Sequence, residues 1–283
     1  MLSMLSNTLQ ILNVSGYHFC YLSDLPTLKD TLLQKGLQLS LKGTVLITPE
    51  GLNVFLSGTN DNVHEFINFL CATTHTHAES YDFKFSWTEK TTFNRFLIRV
   101  KKEVIAFDKM YNFEHKAPYI SAQELEDKLD NNEDIVLIDT RNDYEVALGA
   151  FKNAIDPNIK SFKEFKNALN KLEHLKDKTI VTYCTGGVRC EKAAVFLKEE
   201  GFKDVFQLKG GILRYFEETP ASHYDGECFV FDQRVSVTTK LSTSDKKLCF
   251  ACRMPLTAKD LAANTYVEGQ SCPYCFKGVL NAS

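Results

Sequence analysis

Apolar-rich runs at Ser15–Leu22, Gly43–Thr48 and Leu52–Ser57 predict strands, the last two joined as a hairpin through Pro49-Glu50-Gly51. Leu25–Lys35 reads as a helix. So does Asn60–Cys71, whose Val63, Phe66, Ile67 and Leu70 fall on one helical face. Tyr81–Trp87 and Phe96–Phe107 return to strand patterning. The order βαββαβ predicts a ferredoxin-like sandwich, an architecture that supports many functions and names none.

From Tyr119 to Glu218 the pattern becomes that of an α/β unit with a parallel sheet and helices on both faces. Ser121 with Glu124 forms a capping-box signature. Ile135–Ile138 is a short buried strand ending at Asp139-Thr140-Arg141, and Ile180–Tyr183 is another, followed by a helix over Glu191–Glu200. Val205–Leu208 is a third strand, ending at Lys209-Gly210-Gly211. Ligands of open parallel sheets bind beyond the strand carboxyl ends, so these three loops define where a site is expected. Beyond Ser222 the apolar content thins. A strand or hairpin at Glu227–Val235 precedes two Cys-x-x-Cys pairs, Cys249/Cys252 and Cys272/Cys275, nineteen residues apart. The chain therefore divides into three regions, 1–116, 117–222 and a cysteine-rich 223–283.

The strand ending at Tyr183 runs into Cys184-Thr185-Gly186-Gly187-Val188-Arg189 and then a helix. Two glycines let the backbone turn closely round the sulfur, its N–H groups form an anion-binding nest, and the helix N-terminus with Arg189 favours thiolate over thiol. Cys184 is thus the expected nucleophile, with Thr185, Gly186, Gly187, Val188 and Arg189 as its loop. Asp139, Arg141 and Glu145 are expected to orient that loop through charge-assisted hydrogen bonds. Cys190 reads either as a resolving thiol or as a core residue. The paired cysteines Cys249, Cys252, Cys272 and Cys275 match a four-thiolate zinc site, which would hold together a tail too short for its own core.

Composition narrows the class. At 283 residues and 44% hydrophobic content, the chain can bury more than one core. No apolar run approaches a membrane span, and Met1–Asn7 lacks a basic start and a cleavage site, so a cytoplasmic location is expected. Nine cysteines suit metal-binding and catalytic thiols in a reducing compartment better than a disulfide scaffold. The net charge of −3 is unevenly spread. Basic residues outnumber acidic ones in 84–116 and 233–283, whereas the rest is acidic. Phe93, Arg95, Arg99, Lys101 and Lys102 in the first basic stretch are candidate RNA contacts.

Asp139-Thr140-Arg141, Tyr144-Glu145, Gly149-Ala150-Phe151, the Cys184–Arg189 loop and Leu208-Lys209-Gly210-Gly211-Ile212 resemble the successive motifs of a rhodanese domain. That family carries a persulfide on a six-residue loop, the length found here. Related phosphatases use a longer loop, usually with a histidine where this chain has Tyr183. Over nearly its full length the chain resembles the rhodanese-containing, oxygen-dependent tRNA uridine hydroxylases. The carrying motifs are Gly43-Thr44-Val45-Leu46, Glu50-Gly51-Leu52-Asn53, Asp139–Val146, Cys184–Ala193, and Gly226–Asp232 leading to the cysteine pairs. It departs at Asn53-Val54, where the family usually has Asn-Gly, and around Asp108–Pro118. The resemblance implies hydroxylation of the wobble uridine of tRNA to 5-hydroxyuridine, with molecular oxygen as co-substrate and tRNA as partner. The sequence carries no flavin or nicotinamide fingerprint. The alternative for the same loop is a sulfurtransferase passing a Cys184 persulfide to a small thiol or protein acceptor.

Overall fold

A computed structural model describes residues 10–111 and 116–277. The N-terminal stretch Met1–Asn7 and residues 112–115 of the divergent 108–118 segment lie outside the described residues. The chain separates into two compact units, Met1–Met110 and Tyr111–Ser283.

In the first unit β1 (Ile11–Phe19), α1 (Leu25–Gln38), β2 (Lys42–Thr48), β3 (Gly51–Gly58), α2 (Asn60–Thr74), β4 (Lys84–Thr88) and β5 (Phe96–Val100) follow in order. The sheet order is β4-β1-β3-β2-β5. Its first four strands have the arrangement expected of a ferredoxin-like sandwich, and β5 extends the sheet parallel to β2. Each helix starts at a side-chain cap. Asp24 accepts from Thr27 N–H ahead of α1, and Thr59 from Asn62 N–H ahead of α2. Leu32 of α1 and Val63, Phe66 and Leu70 of α2 share a core with Leu12, Val14, Val45, Ile47, Val54 and Leu56 of the sheet.

The strand expected over Phe96–Phe107 stops at Val100. Buried Glu50 takes the Val104 N–H at 2.8 Å and Glu103 takes the Phe107 N–H at 3.0 Å, so these amides have side-chain partners in place of a ladder. β1 begins at Ile11, four residues before its expected start, because β3 and β4 pair with it on both sides as far as Leu12.

The second unit contains β6 (Tyr119–Ile120), α3 (Ala122–Asp130), β7 (Ile135–Asp139), α4 (Asp143–Val146), β8 (Gly149–Phe151), α5 (Leu169–Leu172), β9 (Thr179–Tyr183), α6 (Cys190–Glu199), β10 (Asp204–Leu208) and α7 (Gly211–Glu218). After them come β11 (Tyr224–Gly226), β12 (Cys228–Phe229), β13 (Ser236–Val237), β14 (Lys247–Leu248), β15 (Pro255–Leu256) and α8 (Ala258–Leu261). A parallel sheet runs β6-β10-β9-β7, and Ile155 bridges Ile138 beyond its edge. Leu125 of α3 and Ile212 and Tyr215 of α7 pack with Val181, Tyr183 and Leu208 on one face. On the other side α6 buries Ala193, Ala194 and Leu197 and packs on β9 and β10. The Ser121 hydroxyl caps α3 by accepting from Glu124 N–H at 3.1 Å.

Residues 224–237 share the core of this unit. β11 pairs antiparallel with β8, and Tyr224, Cys228 and Val230 belong to the same core as Phe151 and Tyr183. The hairpin expected over Glu227–Val235 forms between β12 and β13, with residues 230–235 as its turn.

Gly43 has φ +128, and an added Cβ would lie 2.0 Å from the Phe55 carbonyl oxygen of the neighbouring strand. Backbone cannot yield as a flexible side chain can. Gly43→Ala is therefore expected to cost about 2 kcal/mol or more, measured by urea unfolding of the full chain.

Candidate active site

The parallel strands β7 and β9 end side by side, so Asp139 lies opposite Tyr183 and the loops after them meet. Thr140 fixes the junction. Its N–H and its hydroxyl both donate to the Tyr183 carbonyl, at 3.0 and 2.9 Å. Cys184 follows directly and is fully buried. Its loop is held from the other side by α7, where the Ile212 N–H donates to the Cys184 carbonyl at 2.9 Å and the Leu213 N–H to the Thr185 carbonyl at 3.1 Å. That docking requires Gly211. At φ +64, any Cβ there would sit 2.4 Å from the Cys184 carbonyl oxygen and 2.8 Å from the Gly187 nitrogen.

The sulfur accepts the Gly187 N–H at 3.1 Å. Burial alone would push the Cys184 thiol up. The Cys190 thiol, the Arg189 guanidinium and the backbone N–H groups of Arg189 and Gly187 outweigh it and bring the thiol down to about 5. Cys190 is displaced the opposite way, by burial and by the negative sulfur beside it, and keeps its proton. One proton thus belongs to the pair, and the fixed donors place the charge on Cys184. Cys190, at the first turn of α6, is also within 3.7 Å of the Thr140 hydroxyl.

Arg189 is held by Glu145. The two guanidinium ends donate to the two carboxylate oxygens at 2.6 and 2.7 Å, and both side chains are buried. Glu145 Oε2 also accepts the Asn142 N–H at 3.1 Å, and the Thr185 hydroxyl approaches Oε1 at 3.4 Å. Glu145 thus accepts from several donors at once and holds Arg189 in place. Asp139 and Arg141 do a different job. They form their own fork, 2.6–3.1 Å, and Arg141 continues to the Gly149 carbonyl at 2.7 Å and the Tyr224 hydroxyl at 3.4 Å. This pair ties β7 to the β8–β11 ribbon, whereas Glu145 reaches the cysteine loop itself.

Val188 is half-buried, and Gly186 at the loop apex faces open space, since an added Cβ there would meet nothing within 4 Å. Three residues that sequence reading did not single out complete the surroundings. They are Thr140, Phe229 and Phe231. Phe229 packs edge-on to Tyr144 (5.3 Å) and to Phe231 (5.0 Å), and its carbonyl accepts from the Thr185 hydroxyl at 3.3 Å. Phe231 lies over the Arg189 guanidinium at 5.8 Å. The signals for them were motif membership alone, Thr140 in Asp139-Thr140-Arg141 and the two phenylalanines in Gly226–Asp232.

Away from this loop, Cys249, Cys252, Cys272 and Cys275 bring four sulfurs within 4.8 Å of one another. Neighbouring sulfurs are 3.6, 3.7 and 3.8 Å apart. Tetrahedral thiolates at a zinc–sulfur distance of about 2.3 Å would be spaced by about 3.8 Å, so the donor set and its spacing fit that ion.

The Cys184 thiol has a pH signature with a definite sign. Its folded pKa, about 5, lies below the unfolded value, so between roughly pH 5 and 9 the unfolded chain binds the extra proton and stability rises with pH. The stability gap between wild type and Cys184→Ser is expected to widen across that window and to close as pH falls through 5. Urea unfolding at a series of pH values, with thiolate absorbance at 240 nm in parallel, checks it.

Comparison with known proteins agrees with both units. Residues 11–104 match the UPF0176 acylphosphatase-like domain and residues 121–218 the rhodanese-like domain. The chain is 42% identical over 278 residues to the tRNA uridine(34) hydroxylase of Cupriavidus necator, covering 94% of this chain and 97% of that protein. It is 42% identical over 287 residues to the protein of that name from Cupriavidus metallidurans, covering 97% and 100%. The Paraburkholderia phytofirmans protein of the same name is 39% identical over 277 residues, covering 94% and 96%. Similarity of this extent runs through both units and the cysteine-rich tail, and the chain belongs to the tRNA uridine(34) hydroxylase family.

Proposed function

We propose that this protein hydroxylates uridine 34 of tRNA to 5-hydroxyuridine, with molecular oxygen as co-substrate and Cys184 as the nucleophile. The observation that carries this reading is a buried thiolate with fixed donors, in a chain similar along nearly its whole length to tRNA uridine(34) hydroxylases. Such a sulfur adds to the pyrimidine ring through a new C–S bond, and the displaced electron pair enriches C5 for reaction with oxygen. The same Arg189 and Gly187 donors make the sulfur a good leaving group, because a thiol of low pKa departs readily as thiolate. One oxygen atom becomes the C5 hydroxyl and the other is reduced to water, which takes two electrons and two protons from an external two-electron reductant such as a thiol pair. C5 gives up its proton as Cys184 departs as thiolate. Persulfide transfer, the other chemistry a rhodanese loop supports, is not favoured by relatives of this name at full length.

The flanking regions suit an RNA substrate. Arg95, Arg99, Lys101 and Lys102 are exposed on the first unit beside half-buried Phe93, where they would contact phosphates. Among the described residues no helix is long and apolar enough to cross a membrane. A tRNA substrate assigns the activity to the cytoplasm. On this reading 1–116 serves RNA contact, 117–222 the chemistry, and 223–283 carries a structural zinc ion on Cys249, Cys252, Cys272 and Cys275. The ion would fix a module whose apolar core consists of little more than Leu256, Leu261, Tyr266 and the cysteines themselves.

Two results are expected. Nucleoside mass spectrometry of tRNA from a strain lacking this protein should show 5-hydroxyuridine restored by the wild-type chain and absent with Cys184→Ser; product at wild-type level from the serine variant would remove Cys184 from the chemistry. Native mass spectrometry should find one zinc per chain, lost in Cys272→Ser together with faster proteolysis after residue 240.

A further inference from the structure

Phe231 occupies a position that packing alone does not explain. Its ring is 46% exposed although it sits among buried neighbours. Arg189, Glu145 and Phe229 around it are all buried. Both terminal nitrogens of Arg189 donate to Glu145, and the guanidinium carbon lies over the Phe231 ring, 5.8 Å from its centroid. Behind the ring Phe229 stands edge-on at 5.0 Å and 81°, itself backed by Tyr144.

The segment that carries the ring is tied by its own hydrogen bonds. Val230 N–H donates to the Val235 carbonyl at 2.9 Å and Val235 N–H to the Asp232 carbonyl at 3.2 Å. Asp232 grips Arg234 through both carboxylate oxygens at 2.5–3.0 Å and accepts its N–H at 2.9 Å. The exposed ring thus lies against an arginine that is one of the groups favouring the Cys184 thiolate, and the apex of the same loop at Gly186 faces open space. A flat apolar surface held against the arginine of the cysteine loop matches what a splayed-out nucleobase stacks on.

We propose that Phe231 is the platform of a nucleobase subsite, on which the uracil of uridine 34 stacks when it leaves the anticodon stack to meet Cys184. This rests on the tRNA reading above and adds the surface that receives the base. Arg189 supports the ring from behind, Phe229 keeps it from tilting away, and a flipped pyrimidine replaces the stacking it loses in the anticodon loop.

The test is a binding cycle on the full chain with oxygen withheld, read by fluorescence anisotropy of a labelled anticodon stem-loop. Phe231→Ala should weaken binding of the stem-loop carrying uridine 34 by roughly ten- to a hundredfold, Phe231→Trp should restore it, and a stem-loop abasic at position 34 should bind wild type and Phe231→Ala alike. The subsite is overturned by equal binding of the uridine stem-loop to wild type and Phe231→Ala, or by an equal loss with the abasic stem-loop. It is also overturned if the 240 nm titration of Cys184 moves in Phe231→Ala, which would make the ring a prop for Arg189. If wild type makes no 5-hydroxyuridine while the binding cycle holds, the hydroxylation reading falls and the subsite stands; product formation with a flat cycle means the reverse.

Discussion

The bidentate pair between Glu145 and Arg189 is the contact on which the site turns. Arg189 brings a positive charge to a sulfur with no access to water, and a lone buried guanidinium would be too costly to keep there. Glu145 makes it affordable, but a carboxylate so close also cancels part of the field that Cys184 would otherwise feel. The preference for thiolate therefore rests on several groups together, the thiol of Cys190 first, then the Arg189 guanidinium and the N–H groups of Arg189 and Gly187. Charge positions the loop, and short-range donors finish the ionisation.

Because those donors act over little more than van der Waals distance, the backbone around Cys184 must hold still. Three elements see to that from different directions. The loop after β7 contributes Thr140, which clamps the residue before the cysteine. α7 contributes two amides to the carbonyls of Cys184 and Thr185, an approach that only Gly211 permits. β12 contributes the Phe229 carbonyl to Thr185. The Asp139–Arg141 fork lies one layer back, joining the end of β7 to the β8–β11 ribbon and thereby bringing β12 to the loop.

Much of this architecture could be read from the chain. The strands and helices of both units follow from local apolar patterning, and the Cys184 loop announced itself because glycine pairs, a strand end and an arginine are neighbours in sequence. Paired cysteines at fixed spacing were legible for the same reason. What escaped was long-range. β5 joins β2 in parallel across some fifty residues, and nothing local to Phe96–Val100 specifies that partner. Phe231 is forty-two positions from Arg189, so its alignment with the guanidinium exists only after β11 has paired with β8. Thr140 was passed over between two charged residues, although its hydroxyl makes the closer contact with the chain leading to the sulfur. The end of β5 was misjudged because a buried Glu50 and a nearby Glu103 claim the amides that the apolar pattern alone assigned to a strand.

The burial of Cys184 has one more consequence. A thiolate that is ionised at neutral pH is the form most easily carried up the oxidation ladder to sulfenic and sulfinic acids, and exposure normally sets how fast that happens. Here the charged sulfur is sealed from solvent. On the proposed reading, in which oxygen is consumed beside Cys184, this burial shields the resting thiolate, trading immediate access for a sulfur protected from its own co-substrate.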